Sequence, residues 1–380
     1  MVHTQEGAEP VIAPDLGSGR EGLLRRLRHG LFGGSRDPFD RTVFHKLSLL
    51  PFFAWVGLGA DGLSSSCYGP AEAFLALGDH RSLALFVALG TALTVLVISA
   101  VYSQIIELFP SGGGGYLVAS KLLSPRWGMF SGSALLIDYV LTISISIASS
   151  GDAIFSFLPA QYHWAKLPFE VLGLILLAGL NLRGVKESVG ALVPVFLVFV
   201  VTHVAAIGWA VASRLPEMGT VATRTALDVS SATSTLGLFP VVFLVLRAYS
   251  MGAGTFTGIE AVSNGLPILR EPKVRTGKRT MLYMALSLSF TAFGLMVAYL
   301  LYGVDAVAGK TLNAVLFESM TAGWGSWGAA LVMVTLLSEG ALLFVAAQAG
   351  FLDGPRVLSN MALDRWLPSR FAHLSDRLVT

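Results

Sequence analysis

Eight long apolar stretches, each close to the length needed to cross a lipid bilayer, dominate this 380-residue sequence. A helix needs about 20 consecutive apolar residues to span a hydrocarbon core of about 30 Å. Only 13% of the residues are charged, whereas soluble domains carry roughly 25%. The sequence therefore predicts an all-α polytopic membrane protein. The stretches cover roughly residues 47–77, 83–108, 128–157, 168–183, 188–212, 238–269, 280–303 and 328–352.

The same composition argues against several classes of protein. A net charge of +2 is too small to indicate a nucleic-acid partner. The single cysteine, Cys67, allows no internal disulfide. The glycine run at 112–115 lacks the Lys-Ser/Thr ending of a phosphate loop, and no His or Cys cluster has the spacing of a metal site. We therefore expect no enzyme and no cofactor, with membrane lipid and a small solute as partners and no nucleic acid.

Basic residues are distributed unequally between the two sides of the predicted membrane. Twenty lie on the side of the N-terminal tail and five on the other side. Because cytoplasmic loops carry the excess of Lys and Arg, we expect both ends of this chain in the cytoplasm. Residues 1–46 are polar. The apolar core of a signal peptide would lie within roughly the first 15–30 residues, so we interpret this segment as a cytoplasmic tail and not as a signal peptide.

Two of the apolar stretches contain residues that disfavour a continuous helix. The first has three glycines, an acid and three serines between Gly57 and Ser66, and the sixth has glycines and threonines between Gly252 and Gly258. We predict interruptions near residues 59–65 and 252–257. The two are five spans apart, an odd number, so the second unit must run in the opposite direction. Paired broken helices in inverted units indicate the central binding site of a secondary transporter.

Acidic and hydroxyl side chains accompany both predicted interruptions. Asp61 lies at mid-membrane and is followed seven residues later by Tyr68, while Glu260 is three residues beyond Thr257. An acid at the bilayer centre costs about 2.5–3.5 kcal/mol on insertion scales. Such a group binds a cation, carries a proton or pairs with a buried base. Glu260 is the candidate for the group that takes up a proton.

A stripe of hydroxyl groups lies on one face of the third predicted span. Tyr139, Thr142, Ser146 and Ser149 are spaced at i, i+3, i+7 and i+10. In lipid such a face must point into the bundle or towards a wet cavity. The roles of three further polar residues stay open: Arg247 in the sixth span, His203 in the fifth and Glu339 in the eighth.

Five sequence motifs stand out: GADGLSSSCY at 59–68, YSQ at 102–104, PSGGGGY at 110–116, LIDYVLT at 136–142 and TGIEAVSNG at 257–265. Together they resemble those of the amino acid–polyamine–organocation (APC) transporter superfamily. Within it the sequence is most similar to the bacterial potassium uptake permeases of the KimA type, which are related to the KUP transporters. The resemblance covers roughly residues 45–380.

The resemblance implies a LeuT-like inverted-repeat fold and proton-coupled import of potassium. It also implies that Glu260 is the gating or proton-coupling acid. The cation-binding group would be formed by Asp61, Tyr68, Tyr139, Thr142, Ser146 and Thr257.

The family core has ten helices in two inverted groups of five, whereas eight spans are predicted here. We therefore expect a C-terminally incomplete fold that does not transport as the 380-residue chain alone. A homodimer remains open. The predicted organisation is a cytoplasmic tail at 1–46, a first five-helix repeat at 47–212, an extracellular loop at 213–237, three helices of the second repeat at 238–352 and a cytoplasmic segment at 353–380.

Two other functions remain open at the level of sequence. The chain could be an amino acid or amine permease of the same fold, with Asp61 binding the substrate ammonium group. It could also be a membrane sensor or scaffold that does not transport.

Overall fold

A computed structural model describes residues 49–110, 112, 114–182 and 189–372. The predicted tail at 1–46 lies outside these residues. Within the described ranges the chain forms thirteen α-helices and no strand, apart from one isolated parallel bridge between Leu49 and Leu269. The predicted all-α class is confirmed. The helices are α1 (Pro51–Ser64), α2 (Gly69–Leu75), α3 (Ala84–Leu108), α4 (Gly114–Leu122), α5 (Pro125–Phe155), α6 (Lys166–Leu182), α7 (Val189–Ser213), α8 (Met218–Leu236), α9 (Leu238–Met251), α10 (Ala261–Asn264), α11 (Lys273–Tyr302), α12 (Leu312–Thr321) and α13 (Gly325–Leu363).

Seven helical segments of the described chain are long and apolar enough to cross a membrane. They correspond to the second to eighth predicted stretches. The first stretch is not among them because it is divided into α1, with 14 residues, and α2, with 7 residues. The last span is longer than predicted, since α13 continues past residue 352 to Leu363. The connection at 213–237, predicted as a loop, contains the 19-residue helix α8.

The first interruption lies later in the chain than the predicted range 59–65. Gly59 and Gly62 are both inside α1, which ends at Ser64, and a 3₁₀ turn at Ser65–Cys67 leads through Tyr68 into α2. The serine hydroxyls donate hydrogen bonds to the carbonyls three residues earlier: Ser64 to Asp61 at 2.7 Å, Ser65 to Gly62 and Ser66 to Leu63. These local bonds compete with regular helix, so the serines rather than the glycines mark the break.

The second interruption lies where the sequence predicts it. Helix α9 ends at Met251, a 3₁₀ segment spans Gly252–Phe256, and α10 begins at Ala261. Thr257 is extended, with φ −64° and ψ 141°. The break therefore occupies residues 252–260, slightly more than the predicted 252–257.

The two broken units lie side by side and run antiparallel. Successive positions along the first unit meet successively earlier positions along the second. Gly265 packs on Leu58, Gly258 on Gly62, and Gly252 on Ala73. At the centre the Ser65 hydroxyl donates to the Thr255 carbonyl at 2.8 Å. This order confirms the predicted antiparallel arrangement of the two breaks.

Two long helices, α11 and α13, and one backbone contact hold the broken units in place. Helix α11 is the most buried span and packs on α1 and α3. Helix α13 packs along α5, where Gly340 faces Ile154 and Gly350 faces Ile143. Ahead of α1, the Leu49 amide donates to the Ile268 carbonyl at 3.0 Å, and the Arg270 amide donates to the Leu49 carbonyl at 3.0 Å.

Candidate functional site

The candidate site is built around two buried acids, one at each break. Asp61 and Glu260 are only 7% and 8% exposed. Gly258, two residues before Glu260, lies directly against Asp61, because a Cβ atom at this position would lie 2.8 Å from Asp61 Cγ and 2.6 Å from the Gly62 nitrogen. Gly258 also has a φ of 84°, which L-residues rarely adopt. Only glycine therefore allows the second break to approach Asp61 this closely.

Hydroxyl groups surround the breaks. Tyr68 is buried, and its ring packs against Gly254 in the second break. Thr257 is half-buried beside Gly258. The Thr255 hydroxyl is completely buried and has no hydrogen-bond partner in the part of the chain that the structure describes. Each break thus contributes at least one buried hydroxyl residue, Tyr68 at the first and Thr255 at the second.

Three of the four residues in the stripe predicted on the third span are buried, whereas Ser149 is half-buried. Tyr139, Thr142 and Ser146 all lie on the inner face of α5. Ser146 is 1% exposed, and its hydroxyl has no hydrogen-bond partner within the described ranges. Tyr139 is linked to the second break, because its phenol oxygen accepts a hydrogen bond from Asn264 Nδ2 at 3.2 Å. The contacts do not connect Thr142 or Ser146 directly to Asp61.

A cavity of about 100 Å³ lies against Asp61. Its walls come from α1 at Leu58 and Ala60, from Ala261 at the start of α10, and from the α13 residues Ala349 and Asp353. A water molecule needs only about 10–15 Å³ of such volume, so the cavity has room for a small ion with part of its hydration shell. Pockets for small organic ligands are usually about 300–1,000 Å³.

A second and larger cavity, of about 590 Å³, shares part of its lining with the first. We call it the vestibule, and it is lined by residues such as Tyr116, Asn264 and Asn360. Ile268, Asp353 and Arg356 line both cavities. Arg356 Nη1 donates to Asp353 Oδ1 at 3.1 Å. A charged pair therefore lies in the wall that the vestibule shares with the cavity at Asp61, and we call this wall the neck.

The wall of the vestibule is fixed by a tyrosine on the short helix α4, outside the spans. The Tyr116 hydroxyl donates to the Asp364 carboxylate, and the ring packs on Gly132 and Met361. Burial, together with the hydrogen bond to Asp364, raises the pKa of Tyr116 to about 12. The phenol therefore stays neutral and keeps its hydrogen bond across the physiological pH range.

Three carboxylates are fully buried in the described ranges, and they differ in their partners. Glu339 pairs with His203, with 2.8 Å between Nε2 and Oε1. Neither Asp61 nor Glu260 forms an ion pair with any described residue. Arg247, whose role the sequence left open, is exposed on α9 and forms no ion pair with any residue of the described ranges. Buried negative charge without a base is expensive unless a cation or a proton neutralises it.

Asn264, Thr255, Asp353 and Arg356 belong to this region but were not singled out by sequence. Asn264 lies inside a quoted motif, yet nothing local indicates its contact with Tyr139. Asp353 and Arg356 show the i, i+3 spacing of a helical ion pair, but the predicted end of the last span at residue 352 placed them in a polar segment. Their position at the neck follows from the continuation of α13.

Comparison with known proteins agrees with this architecture. The profile of the family described as "Amino acid permease" matches residues 56–379. The Potassium transporter KimA of Bacillus subtilis (strain 168) is 32% identical over 329 residues, which is 84% of this chain and 52% of the relative. The chain thus spans about half the length of the curated relative it matches. The chain forms a helical bundle with two antiparallel broken helices, and the profile matches most of its length. The chain therefore belongs to the amino acid permease family of the APC superfamily.

Proposed function

We propose that the chain forms the ion-binding part of a secondary transporter that imports potassium together with protons. The observation that carries this proposal is the pair of buried acids, Asp61 and Glu260, that lack a basic partner among the described residues. The name of the Bacillus relative, a potassium transporter, supports the same substrate. Localisation in the bacterial inner membrane with the vestibule facing the cytoplasm is part of the proposal.

Asp61 supplies the charge that attracts the cation. Side-chain oxygen atoms replace part of the hydration shell of the cation, as oxygen ligands do in ion-selective sites. They come from Tyr68, Tyr139, Thr142, Ser146 and Thr257. The buried hydroxyl of Ser146, which lacks a partner in the described chain, supports its role as one of these oxygens. Glu260 has a different role, which is to gain and lose the coupled proton beside the second break.

An amine or amino acid permease is the second candidate, because the matching family is named for amino acids. In that case Asp61 would bind the substrate ammonium group. The volume of about 100 Å³ at Asp61 favours an ion over an amino acid, since organic ligands usually occupy at least about 300 Å³. An acid at the binding position also repels a substrate carboxylate.

Direct binding measurements on Asp61→Asn test the proposal. Asn keeps the shape and one oxygen but removes the charge. At an effective dielectric of about 20, two unit charges 4 Å apart attract by ~4 kcal/mol. Desolvation offsets part of this, and losing half would weaken binding about 30-fold. We expect this loss for radioactive rubidium binding to the chain in lipid nanodiscs.

The matched control is Asp152→Asn, which removes an acid from the outer end of α5 that is paired with Lys166. Its rubidium affinity is expected to stay within about twofold of the wild type. The opposite outcome is a wild-type protein that binds no rubidium but binds a labelled amino acid saturably, with this binding lost in Asp61→Asn. That result would identify an amine, and not potassium, as the substrate.

A further inference from the structure

The pair formed by His203 on α7 and Glu339 on α13 has no role in the proposed ion site. Both side chains are 1% exposed, and no other carboxylate of the described chain is buried as deeply. The imidazole ring stacks on Phe199, with ring centres 3.9 Å apart, and meets the edge of Phe317. The pair is therefore enclosed by aromatic rings instead of water.

The hydrogen bonds determine how many protons the pair holds. His203 Nδ1 lies 2.9 Å from the Phe199 carbonyl oxygen, which can only accept, so Nδ1 carries a hydrogen. His203 Nε2 lies 2.8 Å from Glu339 Oε1. With no proton between them, a nitrogen lone pair would face a carboxylate oxygen in a dry interior. One proton therefore lies between Nε2 and Oε1, whether it is assigned to the imidazolium or to the carboxylic acid.

This proton leaves the pair with no net charge. Its loss would produce a neutral histidine beside a buried carboxylate, which is strongly unfavourable. The titratable groups of neighbouring elements are the Cys67 thiol and the Tyr299 phenol. In the described part of the chain no Lys or Arg forms an ion pair with Glu339. Among the described contacts, the proton shared with His203 is therefore the group that offsets the negative charge of Glu339.

Asn313 on α12 connects the pair to the first break. Its Nδ2 donates to Glu339 Oε1 at 2.9 Å and also lies 3.5 Å from the Cys67 carbonyl oxygen. Its Oδ1 accepts from the Tyr299 hydroxyl. Cys67 ends the 3₁₀ turn that separates α1 from α2. A movement of the break therefore changes the hydrogen bonds of Asn313 and, through them, those of Glu339.

The geometry points to His203 and Glu339 as a proton-binding site, separate from Asp61 and Glu260, whose occupancy is linked through Asn313 to the position of the first break. The linkage to ion binding rests on the proposed function, whereas the bound proton does not. Linkage is reciprocal, so a proton that responds to the break also alters the affinity of an ion bound at the break.

Spectroscopy of the chain in nanodiscs tests the proton site without any transport assay. At pH 7 we expect either the ¹⁵N signals of an imidazolium at His203 or the infrared band of a protonated acid that disappears in Glu339→Gln. His203→Asn assigns the ring signals among the seven histidines. A neutral His203 beside an ionised Glu339 would overturn the proposal, and this readout does not depend on whether potassium is the substrate.

Rubidium binding across pH then tests the linkage. A proton fully coupled to ion binding changes affinity by about tenfold per pH unit. We expect Glu339→Gln to reduce this slope while the affinity at its optimum pH stays within about threefold. The matched control is Ser338→Ala, because Ser338 is also buried on α13 but bonds only to the Thr335 carbonyl. An unchanged slope in Glu339→Gln refutes the linkage, while absence of rubidium binding in the wild type counts against the proposed function alone.

Discussion

Individual acids in this membrane protein are distinguished by their neighbours. Glu339 faces a histidine and an asparagine, whereas Asp61 and Glu260 face the backbone of two broken helices. The residue type alone does not separate them, because all three are single acids within apolar stretches. The partners distinguish the acid that shares a hydrogen bond with a histidine from the two that are available to an ion.

Glu260→Gln is expected to separate ion binding from its pH dependence. The substitution preserves the size and hydrogen-bonding oxygen of the side chain but removes its ability to ionise. Because Asp61 still provides the attracting charge, rubidium affinity should fall by less than about tenfold. Its change with pH should flatten, as measured in nanodiscs between mildly acidic and mildly alkaline conditions.

A matching variant is Glu318→Gln, since Glu318 is an exposed acid on α12 that pairs with Lys310. It should retain the wild-type pH profile. A Glu260→Gln protein with the full wild-type pH dependence would contradict the assignment of Glu260 as the coupling group.

Sequence reasoning identified the buried acids and the hydroxyl stripe because hydrocarbon penalises each of them individually. It could not identify Asn264, since an asparagine near the end of a short helix is common and its contact with Tyr139 spans 125 positions of the chain. It also could not assign His203 or Glu339, because their hydrogen bond joins two spans that are far apart in sequence. Pairings of this kind depend on how the helices pack.

At the level of elements, glycine has two roles that the sequence does not separate. Gly59 and Gly62 are helical and allow close packing. Gly62 packs against the Gly258 carbonyl, and Gly59 leaves room for the ring of Trp55, four residues earlier in the same helix. Gly252 and Gly254 lie in an actual break. The predicted position of the first break was therefore several residues too early, although its existence and its antiparallel partner were correct.

Gly258→Ala is expected to disrupt the contact between the two breaks. The new methyl would lie 2.6 Å from the Gly62 nitrogen, and the φ of 84° is unfavourable for alanine. Strain of this kind costs about 1–3 kcal/mol before any clash is counted. We expect a lower midpoint of thermal unfolding in detergent and a loss of rubidium binding.

Gly179→Ala provides the comparison. A Cβ atom there meets no atom within 4 Å, and the residue lies within α6. Alanine favours helix over glycine by about 1 kcal/mol, so its unfolding midpoint should be unchanged or slightly higher. Equal behaviour of the two variants would show that the contact at Gly258 is unimportant.

For the whole molecule, the vestibule marks the face whose cavity shares a wall with the cavity at Asp61. Asn360 lines this cavity, whereas Thr223 is exposed on α8 in the connection predicted to lie on the other side. The distribution of basic residues predicts that the vestibule face is cytoplasmic. Span number, helical class and relative orientation of the breaks could be read from apolar length and parity, but the cavities result from packing that the sequence does not reveal.

Cysteine labelling tests this orientation in a Cys67→Ala background, which removes the only native thiol. Asn360→Cys should react with a membrane-impermeant maleimide in inside-out vesicles and not in right-side-out vesicles. Thr223→Cys should show the reverse. Labelling of Asn360→Cys from the outside would invert the proposed topology.

The two main-chain hydrogen bonds at Leu49 join the residues just before α1 to the segment that follows α10. No side-chain substitution removes these donors and acceptors, except proline at the donating positions. Leu58, in α1, packs on Gly265, so the inner half of α1 and the segment that follows α10 are attached to each other at two points. Ile268, in that segment, forms part of the wall of both cavities. A tilt of the two attached segments would therefore change the volumes of both cavities at the same time.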